Sequence, residues 1–235
     1  VSIVITDLPR LIGQLAPHIS PDDTLPPLTG IHLEVTGTEL VGAATDRYTV
    51  AITRRAVEES AEPATWSALL DSADLRALRA LVPARTAAAG VRLAYEAPTE
   101  QDPDGGLAFT HEGRTLRLSA NLRRDAKFPR WRQILSTALE GEPRLTEPAA
   151  FDPRYLARWA KAAERHAPVT LWSSGPDKPL VIAVGGDFVG LQMPVRIDLR
   201  HGGWAQWGDR SAVQAAWAPL LAPAEESVPT GLRAA

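Results

Sequence analysis

The sequence predicts an α+β fold built from short antiparallel strands and a few short amphipathic helices. Three observations carry this reading. Runs of β-favouring residues recur along the chain and meet at tight polar corners such as Thr45-Asp46-Arg47 and Gly185-Gly186-Asp187. Segments with apolar residues at helical spacing are short, and each follows a residue able to cap a helix. The order strand, helix, strands returns three times, as a repeat of architecture more than of residues.

In chain order, Ser2 to Thr6 reads as a strand, and Asp7 is placed to cap a helix with Leu8, Leu11, Ile12 and Leu15 inward and Arg10, Gln14 and His18 on the other face. Gly30 to Val35, Leu40 to Ala44 and Tyr48 to Arg54 read as strands, with Thr36-Gly37-Thr38 a hairpin turn. After a polar linker from Glu58 to Pro63 the order repeats: Thr65 to Leu70 is a strand, and Asp71 or Ser72 caps a helix. That helix turns Leu75, Leu78, Leu81 and Val82 inward and Arg76 and Arg79 outward, and Pro83 ends it. Val91 to Tyr95, Leu107 to Thr110 and Thr115 to Ala120 supply three strands, with Gln101 to Gly106 an exposed connection.

Asn121 to Leu135 is a basic joint containing Arg123, Arg124, Lys127, Arg130 and Arg132. The third round follows. Pro143 to Phe151 can hold a strand, Asp152 with Pro153 starts a helix to about His166, and Val169 to Trp172, Pro179 to Val184 and Phe188 to Gln192 are strands. On that helix Arg154, Arg158, Lys161 and Arg165 share one face, and Leu156, Trp159, Ala160 and Ala163 the other. Trp204, Trp207 and Trp217 lie further on, with Ser211 to Ala218 a short helix stopped by Pro219 and the chain from Pro223 reading as disordered. So many indoles seldom stay in water, so this tail is expected to dock on its own body or on a second copy.

Composition narrows the classes. With 235 residues, 45% of them hydrophobic, the chain can bury one large core or two small ones. It has no cysteine, which removes disulfides and thiolate metal sites and fits a reducing, cytoplasmic setting. No apolar run is long enough to cross a bilayer, and the start lacks the look of a signal peptide, so no membrane partner is expected. A formal charge of −3 excludes a body that is basic all over but allows one basic face. An enzyme finds little support, and neither a cofactor nor a metal is expected. His18, His32, His111, His166 and His201 lack metal-ligand spacing, Gly185 to Gly190 is not followed by a helix, and the pairs Asp22-Asp23 and Glu58-Glu59 lie in polar linkers.

Specific stretches point further. Leu25-Pro26-Pro27-Leu28-Thr29-Gly30-Ile31 followed by Ala44-Thr45-Asp46-Arg47-Tyr48-Thr49-Val50-Ala51 resembles the middle domain of the bacterial sliding clamp, the β subunit of DNA polymerase III, with its Pro-x-Leu-x-Gly strand and Ala-Thr-Asp-Gly-His-Arg-Leu-Ala hairpin. Lys127-Phe128-Pro129-Arg130-Trp131 is similar to the family's Phe-Pro-Asp-Tyr joint, and Gln192-Met193-Pro194-Val195-Arg196-Ile197 to its terminal Met-Pro-Met-Arg-Leu. The three follow the family's order. The resemblance implies a DNA-clamp fold with one complete clamp domain at 1–122, made of two half-units, a linker at 123–135, a partial clamp domain at 136–197 and an extension at 198–235. It departs from the family in the absence of a first domain and in the short segment from Ser136 to Glu147. Three half-units cannot close the family's six-domain ring as a dimer, though four copies would supply the right number.

The function implied is that of a non-enzymatic accessory subunit, a processivity factor tethering a DNA polymerase or other DNA enzyme. The family's peptide groove maps onto Thr45, Arg47, Tyr48, Thr49 and Val50 at the corner, Pro129 and Gln133 in the joint, Pro179, and Leu191, Met193, Pro194, Val195 and Arg196 at the last strand. Arg47 and Tyr48 replace the family's Gly and His there. The family's DNA-lining helices map onto Arg10, Arg76, Arg79, Arg154, Arg158, Lys161 and Arg165. Implied partners are double-stranded DNA, contacted without regard to sequence, proteins with clamp-binding peptides, and further copies of the chain as a homo-oligomer. The alternative is a non-ring, clamp-derived module that captures such peptides away from DNA. A further option for the tail is that Gln214 to Leu221 imitates such a peptide.

Overall fold

The computed structural model describes residues 2–36, 39–57, 65–83, 90–143, 149–163 and 167–195, with Ser211, Gln214, Ala215 and Ala218 beyond them. The expected hairpin turn at Gly37 and Thr38, the linker from Glu58 to Pro63, Arg165, His166, Arg196 and the tail tryptophans lie outside the described residues.

Eleven strands are described. The first rounds supply β1 (Ser2–Ile5), β2 (Gly30–Thr36), β3 (Glu39–Thr45), β4 (Thr49–Ala56), β5 (Thr65–Asp71), β6 (Val91–Glu96), β7 (Gly106–His111) and β8 (Arg114–Ser119). The third supplies β9 (Thr170–Trp172), β10 (Leu180–Val184) and β11 (Phe188–Gln192). They form an antiparallel four-stranded sheet in the order β1-β6-β7-β8 and a seven-stranded sheet in the order β5-β2-β3-β4-β11-β10-β9. The first two units thus exchange their leading strands: β1 pairs with β6 of the second unit, while β5 pairs with β2 of the first. The third unit continues the larger sheet, β11 pairing with β4 from Phe188↔Thr53 to Gln192↔Thr49.

The helices are α1 (Leu8–Leu15), α2 (Ser72–Leu81), α3 (Leu122–Asp125), α4 (Trp131–Glu140) and α5 (Pro153–Trp159). One core joins both sheets, with Leu8, Leu11 and Leu15 from α1 and Leu75 and Leu78 from α2 packed on Leu33, Leu40, Leu93 and Phe109. Strand alternation then turns Val41, Ala43 and Ile52 to the outer face of the large sheet, where Trp131 covers them. Gly190 admits α5 on the inner face, since a Cβ there would lie 2.2 Å from the Trp159 ring.

Several local expectations are corrected. Asp71 does cap α2, accepting from the Ala73 and Asp74 amides at 2.8 and 3.1 Å, with Asp74 returning the bond to the Asp71 amide. Asp7 does not cap α1: its backbone is left-handed, with φ 57°, and its carboxylate makes no capping bond. Gln14 and His18, expected to face outward, are buried. Helix α5 ends at Trp159 and not near His166, because the chain tightens into bonds from Lys161 to Arg158 and from Ala162 to Trp159. From Pro143 to Phe151 the described residues contain only an isolated bridge, Ala150 to Val195. The joint is itself helical, with α4 running from Trp131 to Glu140.

Candidate functional site

The corner between β3 and β4 is built by its own side chains. The Asp46 carboxylate accepts from the Tyr48 and Thr49 amides at 3.1 and 2.8 Å and from the Thr49 hydroxyl at 2.9 Å. The Thr45 hydroxyl donates to the Thr49 carbonyl at 2.7 Å and accepts from the Arg47 amide. With these bonds satisfied, Arg47 takes a left-handed backbone, φ 79°, and Arg47 and Tyr48 project outward while Thr45 and Thr49 are buried.

The last strand meets this corner directly. The Met193 amide donates to the Tyr48 carbonyl at 2.9 Å, beyond the Gln192↔Thr49 pair that ends β11. Pro179 precedes Leu180, whose partner is Gln192, and so stands at the same end of the sheet. Val195 is held by its amide on the Ala150 carbonyl at 2.8 Å. Tyr155 of α5 stacks on Tyr48 with ring centres 5.4 Å apart. The result is an exposed apolar surface: Tyr48 is 51% exposed, Met193 44% and Val195 49%. Leu191 is buried beneath it, on the sheet face that also carries Val50.

Pro129 and Gln133 are placed differently. They line a depression of about 420 Å³ with His32, Glu34 and Phe128, over β2 and the joint. Phe128 stacks on His32 at 4.8 Å, and Arg132 pairs with Glu34 at 2.7 Å. Asp125 closes this anchor, accepting from the Ser67 hydroxyl and bonding His32 Nδ1 at 2.5 Å. The described link from the joint to the corner is Val50, which packs against the Trp131 cluster.

Beneath the exposed surface lies a polar seam between the third unit and the rest. Arg158 donates to Asp46 at 2.6 Å and to the Thr49 hydroxyl at 3.2 Å. His18 bonds the Thr49 hydroxyl through Nδ1 at 3.1 Å and lies 4.3 Å from the Trp159 ring. Trp159 Nε1 donates to Gln192, which donates to the Asp152 carbonyl. Gln14 donates to the Ala162 carbonyl, and Arg55 joins the Gln14 carbonyl oxygen at 2.8 Å to Asp187 at 2.7 Å. Burial, then the nearby Arg158 cation, pushes His18 down to about 3, so it is neutral at physiological pH.

The expected DNA-facing residues separate accordingly. Arg158 is corrected: it points into the seam and only 23% of its side chain is exposed. Leu156 on α5 and Ala160 just after it, expected inward, are exposed. Arg10 lies 3.7 Å from Asp187, and Arg154 forks onto Asp152, holding that carboxyl below the usual carboxylate range. Arg76, Arg79 and Lys161 are exposed.

Sequence reasoning missed Gln14, His18, Tyr155, Trp159 and Gln192 as parts of this region. His18 continues the spacing of Leu8, Leu11 and Leu15, a signal that it belongs to the apolar stripe. Among the described residues no group of three His, Asp or Glu could hold a metal ion, and no helix is long and apolar enough to cross a membrane.

Comparison with known proteins adds a matching domain and a shared fold. Residues 3–97 match the DNA polymerase III beta subunit, central domain. Among solved structures, the β subunit from Thermotoga maritima is similar with a TM-score of 0.66 at 12% identity, over 84% of this chain and 66% of that one. A putative β subunit from Eubacterium rectale gives 0.66 at 15% identity over the same shares, and the sliding clamp from Bacillus subtilis gives 0.60 at 18%, over 84% and 65%. The chain therefore spans about two thirds of the length of these clamps. Residues 3–97 thus match the central domain of the DNA polymerase III beta subunit, and the chain has the fold of the bacterial sliding clamps.

Proposed function

We propose that this protein is a sliding-clamp-type accessory factor that tethers a DNA polymerase or other DNA enzyme through the surface where the corner meets the last strand. The observation that carries the reading is the exposed trio of Tyr48, Met193 and Val195, joined by the bond from the Met193 amide to the Tyr48 carbonyl. Apolar surface of this kind, with a compliant Met at its centre, suits Leu or Phe anchors of an extended or helical peptide. Thr45, Thr49, Val50, Leu191 and Pro194 support it from below and beside, Arg47 and Tyr48 shape its mouth, and Pro129, Gln133 and Pro179 are outlying contributors. Arg76, Arg79 and Lys161, with Arg154 and Arg10 at their own carboxylates, would give weak, salt-sensitive contact with duplex phosphates and no reading of base edges. That is the contact a sliding protein needs.

The test is direct. A fluorescent peptide with Leu and Phe anchors is titrated against the full chain and against Met193→Asp. The variant is expected to lose at least tenfold in affinity at unchanged Tm, since a carboxylate on an exposed position spares the core but opposes apolar anchors. Equal affinity would overturn the assignment.

The second reading, a clamp-derived binding module that forms no ring, is favoured by the use of Arg158 in the seam, which takes that cation away from the helix face expected to meet DNA. Light scattering and retention on circular DNA separate the two. A closed homo-oligomer should stay on a circle until the circle is cut, whereas a module should leave circular and linear DNA equally fast.

A further inference from the structure

We infer that the third unit is half of a domain completed by the third unit of a second copy, through the free edge of β9 and the open apolar face beside it. The inference goes beyond the groove and does not depend on it.

The first domain supplies the standard of comparison. There each set of three strands is finished by the leading strand of its sister unit, β5 bonding along β2 and β1 along β6. The third set is bonded to β4 through β11, but β9 ends the sheet, and no strand among the described residues lies beyond it. Apolar side chains record the missing sister. Each unit has a Leu four residues after the Asp that precedes its helix, at Asp7, Asp71 and Asp152. Leu11 and Leu75 are 1% and 3% exposed; their counterpart Leu156 is 38% exposed, although it lies one turn before the buried Trp159. The first strand of each set repeats the contrast. Leu33 of β2 and Leu93 of β6 are fully buried, whereas Leu171 of β9 is 47% exposed. Leu171 stands opposite Ile182 of β10, a fully buried member of the main core, so it lies on the core face of the sheet. The core thus runs out to β9 and stops there uncovered.

A second copy is the occupant that fits. What covers Leu11 and Leu75 in the first domain is a unit of the same design, and a second copy brings such a unit with the same faces open. Edges that stay in water are guarded by charge, and β8, which ends the smaller sheet, presents Arg114 and Arg117. The stretch from Val169 to Trp172 carries no charge, so two copies meet at β9 without opposing like charges. Both arginines of α5 are already engaged, Arg154 by Asp152 and Arg158 by Asp46. A two-fold axis between the copies lets each cover Leu156 and Leu171 of the other, and the contact closes at two chains. The pair then holds a complete domain at either end and a shared one between them.

Sedimentation equilibrium of the full chain from about 1 to about 100 µM tests this. A reversible monomer–dimer equilibrium is expected. Leu171→Lys is expected to weaken it at least about tenfold at unchanged Tm, because that side chain is already exposed in the single copy and the new charge is buried unpaired only in the pair. Arg117→Ala on β8 serves as the control and should leave the equilibrium as it is. Hydrogen exchange locates the contact: the amides of residues 169–172 should exchange at least about tenfold more slowly at the high concentration than at the low one, and those of β8 equally at both. A chain that stays monomeric throughout overturns the inference and leaves the face to a different protein or to another part of the chain. A dimer that Leu171→Lys leaves intact overturns it as well.

Discussion

Helices α2 and α5 each carry two arginines about one helical turn apart, yet the two pairs have different fates. On α2, Arg76 and Arg79 remain exposed above an inward row of Leu75, Leu78 and Leu81. On α5, Arg158 is drawn inward to Asp46, a residue 112 positions earlier, while Leu156 is left outside. Each pair is about one turn apart; the partner is what differs. Helix α2 packs on the strands of its own domain, whereas α5 lands on a corner whose carboxylate is already oriented by two backbone amides and needs a cation for its remaining oxygen. A charge stripe therefore does not state its own role until the surface opposite it is known.

The largest expected difference comes from breaking that contact. Arg158→Ala, or Asp46→Ala with Arg158 left half buried, should lower unfolding stability by about 3 kcal/mol or more, whereas Arg76→Ala should change it by less than about 0.5 kcal/mol. Urea unfolding of the three variants checks this. If Arg158→Ala behaves like Arg76→Ala, the Arg158–Asp46 contact adds nothing to the β11–β4 pairing that holds the third unit in place.

Packing gives the next effect. Gly190→Ala would drive a methyl group into the Trp159 ring, and should cost about 1–3 kcal/mol by the same measurement, since that ring is also held by Gln192 and His18. Gly186→Ala, with open space around it, serves as the comparison.

The seam should also respond to acid. His18 is held near 3 in the fold against an ordinary value of 6.5, so between these values the unfolded chain binds a proton that the folded chain refuses. Stability from this residue is complete above about pH 6.5 and falls by about 1.4 kcal/mol per pH unit toward pH 3. Replacing His18 with Asn should flatten the slope of stability against pH over that window. An unchanged slope would mean that His18 is not shielded by Trp159 and Thr49.

On DNA the comparison reverses. Arg76→Glu with Arg79→Glu should reduce the slope of log affinity against log salt by about 2, one for each phosphate left without its cation, with little change in stability. Arg158→Gln, which removes the charge inside the seam, should leave that slope unaltered.

Much of the fold was legible because its determinants are local. Period-two runs marked the strands, Asp71 and Asp152 marked helix starts, and the thrice-repeated order predicted an α+β body, which the resemblance to the sliding-clamp family implied to be clamp-like. The exchange of β1 and β5 between sheets was not legible, since pairing over such separations leaves no mark in either strand. Nor was α4, whose Trp131 reads as part of a basic linker until Val41, Ala43 and Ile52 are seen beneath it. The corner was legible as turn chemistry, and that the last strand should lie beside it was implied by the resemblance of Met193-Pro194 to the family's terminal motif; the bond from the Met193 amide to the Tyr48 carbonyl brings the two together. The inward turn of Gln14 and Arg158 was hidden, because each is polar by composition and turned inward only by a distant partner, while for His18 the signal was its place in the spacing of Leu8, Leu11 and Leu15.

The central claim is that the corner and the last strand, far apart in sequence, act as one site. A double-mutant cycle on peptide affinity tests it, using the unaltered chain, Tyr48→Ala, Met193→Ala and the pair. If both side chains line one surface, the two losses should fail to add, with a coupling energy above about 0.5 kcal/mol. Losses that add within about 0.3 kcal/mol, or no loss in either single variant, would contradict it.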